Sequence, residues 1–325
     1  MISIVIPVRD GARTLDACLA AACTEAGTRD EVIVVDDGSG DGSAAIAARH
    51  PCRLLRLPAP RGAAAARNAG AGAARGEVLF FIDADCVLPP GTIGRVAAAL
   101  ERSGPRAIVG GTYDRRPFDA GFFPAFQAVF VNYHETRRAD DPDYVATHAM
   151  SMRTADFLES GGFDESFLPI LEDVEFSHRV RRAGYRLRID PAIQVRHSFG
   201  FNLRGSLRNA ARKVRYWIRY SVRNRDLLAD SGTASRGLKV ACASHGLGLA
   251  CAAGAAIFRA PALLGPLPLL ALLALGANAG LVRAFFAGGA GFGTAASGYY
   301  FLVYPFAVAA GAAAGLADIA RGRGC

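Results

Sequence analysis

The sequence predicts an α/β fold with a largely parallel sheet and flanking helices, continued by a basic membrane-interface helix and transmembrane α-helices. Three observations carry this expectation. Short β-branched runs alternate with Ala-rich segments through residues 1–199, the pattern of a sheet covered on both faces. Charge is divided by zone: residues 1–199 hold 23 Lys and Arg against 26 Asp and Glu, residues 200–236 hold 9 against 2, and residues 237–325 hold 5 against 1. Hydrophobic residues fill 51% of the 325 positions and the mean hydropathy is +0.21, high for a chain that meets only water. The expected organisation is therefore an α/β domain over 1–199, a basic amphipathic linker helix over 200–236, and a membrane region over 237–325.

Strands are read at Ile2–Pro7, Glu31–Asp36, Arg53–Leu57, Val78–Asp83 and Arg106–Val109, and helices at Leu15–Ala22, Ser43–His50, Ala63–Ala74 and Ile93–Leu100. In sheets of this kind ligands gather at the carboxyl ends of strands. The fourth strand ends in Asp83-Ala84-Asp85, and a strand projects residues i and i+2 to one side. Two acids at the tip of a core strand are either a solvated strand end or helix cap, or the oxygen ligands of a metal-bound diphosphate, since hard divalent cations take oxygen ligands. The second strand ends in Asp36-Asp37-Gly38-Ser39, where an acid either accepts hydrogen bonds from a base and ribose or caps the next helix. Arg67, in the Ala-rich third helix, is either a solvated charge or a phosphate contact. No Gly-X-Gly-X-X-Gly follows the first strand, which excludes the dinucleotide-binding fingerprint.

Residues 112–147 are rich in aromatics and charges and read as an irregular insertion or a surface helix. Beyond them, Glu172, Asp173 and Glu175 open a helix, where acids complement the helix dipole. The flanking Leu171, Val174 and Phe176 indicate that one of these carboxylates faces inward, as a general base requires. Arg186–Ile189 and Gln194–His197 read as two short strands, with His197 at a strand end. Seven cysteines without metal-type spacing argue against a disulfide framework and for a reducing compartment. Ile2–Pro7 is too short for a signal-peptide core and lacks a basic lead-in, so this zone is expected to stay in the cytoplasm.

Six blocks occur in order: Ile4-Val5-Ile6-Pro7, Val34-Val35-Asp36-Asp37-Gly38-Ser39, Arg67-Asn68-Ala69-Gly70, Phe81-Ile82-Asp83-Ala84-Asp85, Gly161-Gly162-Phe163-Asp164 and Glu172-Asp173. Together they resemble the family 2 inverting glycosyltransferases of the GT-A fold. The resemblance implies a nucleotide-diphospho-sugar donor and a divalent metal, Mg²⁺ or Mn²⁺. It implies that Pro7, Asp36 and Asp37 line the base and ribose pocket, that Arg67 and Asp83 serve the donor, and that Asp85 holds the metal. It further implies that Asp173 is the general base and that His197 supplies another metal or diphosphate contact.

Between Arg204 and Arg225 there are eight Lys or Arg and no acid, with Arg204, Arg208, Arg212, Arg215 and Arg219 on one helical face and Trp217 and Tyr220 nearby. Nucleic-acid binding is the competing reading of such a stripe, and the apolar zone directly after it decides for the membrane. Uncharged stretches at Val240–Phe258, Pro261–Val282 and Ala284–Ala317 predict about three transmembrane helices, the third narrowed to Tyr299–Ala317 by its Gly-rich start. The tight Arg259-Ala260-Pro261 turn leaves a re-entrant hairpin as the alternative. The expected location is the cytoplasmic membrane, multi-pass, with the catalytic domain facing the cytoplasm and a lipid-linked or other membrane-proximal acceptor. The Gln-X-X-Arg-Trp signature of processive polymerases is missing around Trp217, which favours addition of one sugar over a polysaccharide synthase. Two further functions compete with this expectation: a catalytically silent membrane scaffold and a sugar-phosphate nucleotidyltransferase.

Overall fold

The computed structural model describes residues 1–167 and 169–322, in two compact units: Met1–Gly200, and the residues from Phe201 onward. The first unit runs β1 (Ile2–Val8), α1 (Ala12–Glu25), β2 (Glu31–Asp36), α2 (Ser43–Ala47), β3 (Arg53–Arg56), α3 (Ala63–Ala73), β4 (Val78–Ile82), β5 (Cys86–Val87), α4 (Thr92–Ser103), β6 (Ala107–Tyr113), α5 (Phe122–Thr136), β7 (Ala149–Arg153), α6 (Thr154–Glu159), α7 (Glu172–Arg182) and β8 (Arg186–His197). The sheet order is β3-β2-β1-β4-β7-β6-β8-β5. Strands β3, β2, β1 and β4 are parallel, as β-branched runs alternating with helices dictate. Strand β7 is antiparallel to both β4 and β6, so the whole sheet is mixed.

Three features depart from the sequence expectation, each for a local reason. β7 carries Ala149-Met150-Ser151-Met152, which has no β-branched residue; its strand geometry comes from being enclosed between β4 and β6, where Ser151 Oγ donates to the Val109 carbonyl at 2.8 Å. The aromatic stretch forms α5, a helix buried over most of its length rather than an insertion or surface helix, with Phe126 and Phe130 stacked 5.8 Å apart. β8 is one strand of 12 residues and not two; its pairing with β6 shifts register between Gly110 and Thr112, which interrupts the alternation and gives the sequence the look of two strands.

Packing fixes the parts that carry chemistry. A Cβ at Gly70 would lie 2.4 Å from Val5 Cγ1, so α3 can rest against β1 only because that position is glycine, and Arg67 is thereby set over the strand ends. Phe81, Phe157, Phe163 and Phe176 form an aromatic cluster with centroids 4.8–5.5 Å apart that seats α6 and α7 on β4.

The second unit comprises α8 (Leu203–Asn224), α9 (Arg236–Ile257), a 3₁₀ turn at Pro261–Leu264, α10 (Leu267–Ala277), α11 (Ala279–Phe286), α12 (Ala290–Gly298), a π turn at Tyr299–Val303 and α13 (Tyr304–Ala320). Asn202 caps α8 by accepting from Gly205 N at 2.8 Å. Arg236–Ile257 and the continuous helix Ala290–Ala320 are each long and apolar enough to cross a membrane, and Pro261–Ala277 with Ala279–Phe286 forms a pair bent by 69°. Two to three crossings are thus available by length and composition. The stretch expected as the second span is broken at Asn278, whose Nδ2 donates to Gly237 O at 2.9 Å. The Gly-rich segment expected to precede the third span is itself helical from Ala290.

Candidate active site

The Asp-X-Asp carboxylates lie between β4 and β5. β5 pairs with the end of β8, Cys86 opposite His197, and Ser198 N donates to Asp85 O at 2.8 Å. This antiparallel return brings the His197 Nε2 to 3.3 Å from Asp85 Oδ1. Asp85, Cys86 and His197 offer ligand atoms that all lie within 4.8 Å of one another. The structure therefore joins the two expected metal ligands and adds a thiol. Phe199 stacks on His197 at 4.1 Å and Tyr113 meets it edge-on at 4.9 Å, which fixes the plane of the imidazole.

Asp83 is engaged elsewhere: residues 83–85 follow the end of β4 as a turn and not as strand, so the expected i, i+2 strand alternation does not apply to the two acids. It accepts from Arg67 Nη2 at 2.7 Å, and the same guanidinium donates through Nη1 to Glu172 at 2.6 Å. Arg67 is buried and Glu172 largely so, while Asp83 keeps an exposed edge, and this bridge ties the end of β4 to the first turn of α7. Asn68 makes the next tie: its amide donates to Phe163 O at 2.8 Å and accepts from Phe163 N at 2.9 Å. A Cβ on Gly162, which has φ +67°, would meet Asn68 Oδ1 at 2.7 Å. The Arg67-Asn68 and Gly161-Gly162-Phe163 blocks are thus two halves of one contact.

The first turn of α7 holds three acids with different fates. Glu172 belongs to Arg67, and Glu175 accepts from Arg179 Nε at 3.0 Å. Asp173 makes no ion pair among the described residues; it accepts from Val174 N at 2.9 Å and from Thr147 N at 3.4 Å. Leu171, at φ +76°, turns the chain sharply to set this acid at the helix start.

At the far edge, both Asp37 oxygens accept backbone bonds, from Arg61 N at 2.7 Å and Gly62 N at 2.8 Å. Asp36 accepts from Ser39 N at 2.8 Å and pairs with Arg56 Nε at 3.3 Å. Both acids are buried, and they hold together the loops beside Pro7, which pairs with Val35.

Sequence reasoning does not single out His148. It is buried, stacks on Tyr113 at 4.0 Å, and its Nε2 lies 3.5 Å from Glu135, which also accepts from Thr112 Oγ1 at 2.7 Å. No motif marks it, and it precedes the one central strand that its residue types do not announce. A buried His–Glu pair becomes visible only once α5 is known to pack on β6 and β8, which brings Glu135 to the residue before β7.

Electrostatics separate the carboxylates. Burial pushes Asp83 up, but the Arg67 charge and hydrogen bond together with His148 and His197 outweigh it, leaving Asp83 below the ordinary carboxylate range. Burial, then the charge of Asp83, pushes Asp85 up to about 7. Burial, then Glu172, raises Asp173 to about 6. For His148 burial acts downward, while Glu135, Asp83 and Asp173 prevail and hold it above its usual value.

Residues 3–162 match the family model described as Glycosyl transferase family 2. These residues form a glycosyltransferase family 2 domain. It is 27% identical to glycosyltransferase AglE of Haloferax volcanii, over 67% of this chain and 74% of that protein. It is 37% identical to an undecaprenyl-phosphate 4-deoxy-4-formamido-L-arabinose transferase of Aeromonas hydrophila, over 30% of this chain and 33% of that protein. Across its curated relatives the chain spans between 26% and 74% of their own length. The fold is that of a mannosyltransferase of Pyrobaculum calidifontis in complex with GDP-Man and Mn²⁺, with a TM-score of 0.58 and 19% identity over 98% of this chain and 87% of that one.

Proposed function

We propose that this protein transfers a single sugar, with inversion, from a nucleotide-diphospho-sugar to a lipid-linked or other membrane-proximal acceptor, using Asp173 as the general base. One observation carries the reading: of the three acids opening α7, Glu172 and Glu175 are each held by an arginine, while Asp173 makes no ion pair among the described residues and is raised by burial to about 6. A carboxylate with an apparent value of about 6 is ionised at pH 7 and still basic enough to take a hydroxyl proton. The Leu171 turn and the Val174 and Thr147 amides orient it.

Asp85 and His197 suit a divalent cation, and a carboxylate with an imidazole fits Mn²⁺ better than Mg²⁺. Cys86 is the poor member of the group, because a thiol is a soft ligand and this one is fully buried with its proton retained by burial and Asp85. A bound cation would neutralise the negative charge that develops on the leaving diphosphate. Asp83 serves the donor indirectly, by holding Arg67 where the guanidinium closes the phosphate end; Asp36 and Asp37 shape the loops that receive the nucleotide beside Pro7. The Mn²⁺ and GDP-Man of the Pyrobaculum calidifontis enzyme and the lipid named for the Aeromonas hydrophila relative support the metal, donor and acceptor classes. A membrane-anchored placement with the catalytic unit in the cytoplasm follows the basic helix beside the apolar region.

The test is hydrolysis of UDP-, GDP- and dTDP-sugars in Mn²⁺ by the wild type and by Asp173→Asn. Turnover of one donor that depends on metal and on Asp173 is expected. No turnover of any donor, or turnover indifferent to Asp173, would count against the reading.

A further inference from the structure

Although Ala290–Ala320 is long and apolar enough to cross a bilayer, its partners place it elsewhere. Its C-terminal half is pressed against α8 at backbone distance. A Cβ at Gly311 would lie 2.4 Å from Ala211 O, and one at Gly315 would lie 2.6 Å from Arg215 O. One turn further on, Asp318 accepts two bonds from Arg215, at 2.6 and 2.8 Å, and Arg219 Nη1 lies 3.8 Å away. Towards the other end, Tyr299 OH bonds Ser206 Oγ at 2.9 Å. These pairs ascend together along both helices, so α8 and α13 run side by side in the same direction.

α8 leaves Arg204, Arg208, Arg212 and Lys213 exposed. Charges of that number do not enter hydrocarbon, so α8 stays at the headgroup level. Whatever lies along it shares that depth. The part of the long helix that precedes the contact with α8 is Ala290–Gly298, 9 residues, or about 14 Å, less than half of the ~30 Å hydrocarbon thickness. Asn278 gives an independent depth marker. It ties the end of α10 to Gly237 at the start of α9, closing a hairpin whose tip exposes Ile257 and Phe258, and it accepts from Tyr300 OH at 2.9 Å. The middle of the long helix therefore sits at the base of the hairpin.

We infer that the α12–α13 helix does not cross the membrane but lies in its surface, clamped to α8 through the Gly311–Gly315 contact and the Arg215–Asp318 pair. The α9–α10 hairpin is then the element that penetrates the bilayer. The basic face of α8 is turned to anionic lipid headgroups, while Leu302, Phe306 and Leu316, all exposed on the long helix, rest in the outer hydrocarbon.

This inference rests on the reading that the apolar unit meets a membrane, and one experiment distinguishes the two. Nitroxides are attached singly at Leu302, Phe306, Ala313 and Leu316, and at Leu247 and Phe258 in the hairpin, on the full chain with the accessible native thiols replaced. Immersion depth is read by oxygen and nickel collision in phosphatidylethanolamine–phosphatidylglycerol vesicles. The four α13-side labels are expected at one shallow depth, with Phe258 much deeper. A depth that changes by about 1.5 Å per residue, some 20 Å in all between Leu302 and Leu316, would overturn the in-plane helix and leave the membrane reading intact. Water accessibility at all six positions, the hairpin included, would overturn both.

Discussion

Replacing Asp173 by Asn should raise stability while removing activity, and the size of both effects follows from the site. The carboxyl is held at about 6 against an ordinary 3.8. At about 1.4 kcal/mol per pH unit, keeping it ionised costs the fold about 3 kcal/mol at neutral pH. The sign is that of an acid whose folded value is raised: the penalty is complete above about pH 6 and disappears as pH falls towards 4. Asn keeps the shape and an oxygen for the Val174 amide, so the variant should melt higher than the wild type at pH 7.5 by roughly 6–12 °C, taking 2–4 °C per kcal/mol for a domain of this size. The two melting curves should converge below about pH 4. In the same samples kcat should fall by at least about a hundredfold, the scale of general-base catalysis, and the acid limb of the wild-type rate, centred near pH 6, should vanish. Donor affinity, measured by calorimetry, should be nearly unchanged. A variant that melts lower, or that loses donor binding with kcat intact, would refute the assignment and move attention to Glu172.

The remaining predictions concern the groups around Asp173. Asp85→Ala should weaken Mn²⁺ binding, read from the free-ion signal by electron paramagnetic resonance, and abolish metal-stimulated turnover, with Asp83→Ala less severe for the metal; unchanged Mn²⁺ affinity in Asp85→Ala would remove it from the ligand set. Arg67→Met strands Asp83 and Glu172 without their shared cation and should destabilise the catalytic unit by about 3–5 kcal/mol, with Arg67→Lys intermediate. A loss below about 1 kcal/mol in chemical denaturation would show the bridge to be incidental. His148→Phe keeps the stack on Tyr113 but leaves buried Glu135 with the Thr112 hydroxyl and without the imidazole, and should cost about 1–3 kcal/mol, part of which Glu135→Gln restores in the double variant. Purely additive losses would show that the two side chains do not act as a pair.

Much of the catalytic unit is legible in the sequence because its signals are local. The β-branched runs at β1 and β2 and the apolar run at β4 name themselves, and the acids at their ends mark where strands stop. The joining of Asp85 to His197 is not legible from residue types: it depends on β5, two residues long, pairing with the end of a strand more than a hundred positions later. β7 is silent because Met150 and Met152 carry no strand preference, and with it goes His148. The aromatics of α5 look superficial because their burial depends on what packs over them. In the apolar zone hydropathy records composition but not partners. It finds Tyr299–Ala317 and cannot see that two of its glycines lie on the backbone of an arginine-rich helix. The side on which each of the Glu172, Asp173 and Glu175 carboxylates falls is likewise undecided until Arg67 and Arg179 are placed.

The central claim is metal-assisted, inverting transfer with Asp173 as base, and the most direct test is the anomeric configuration of the product. Proton NMR of the reaction of an α-linked nucleotide sugar in Mn²⁺ should show a β-linked product, with none formed by Asp173→Asn and none in excess EDTA. An α-linked product, or an undiminished rate in EDTA, would contradict it.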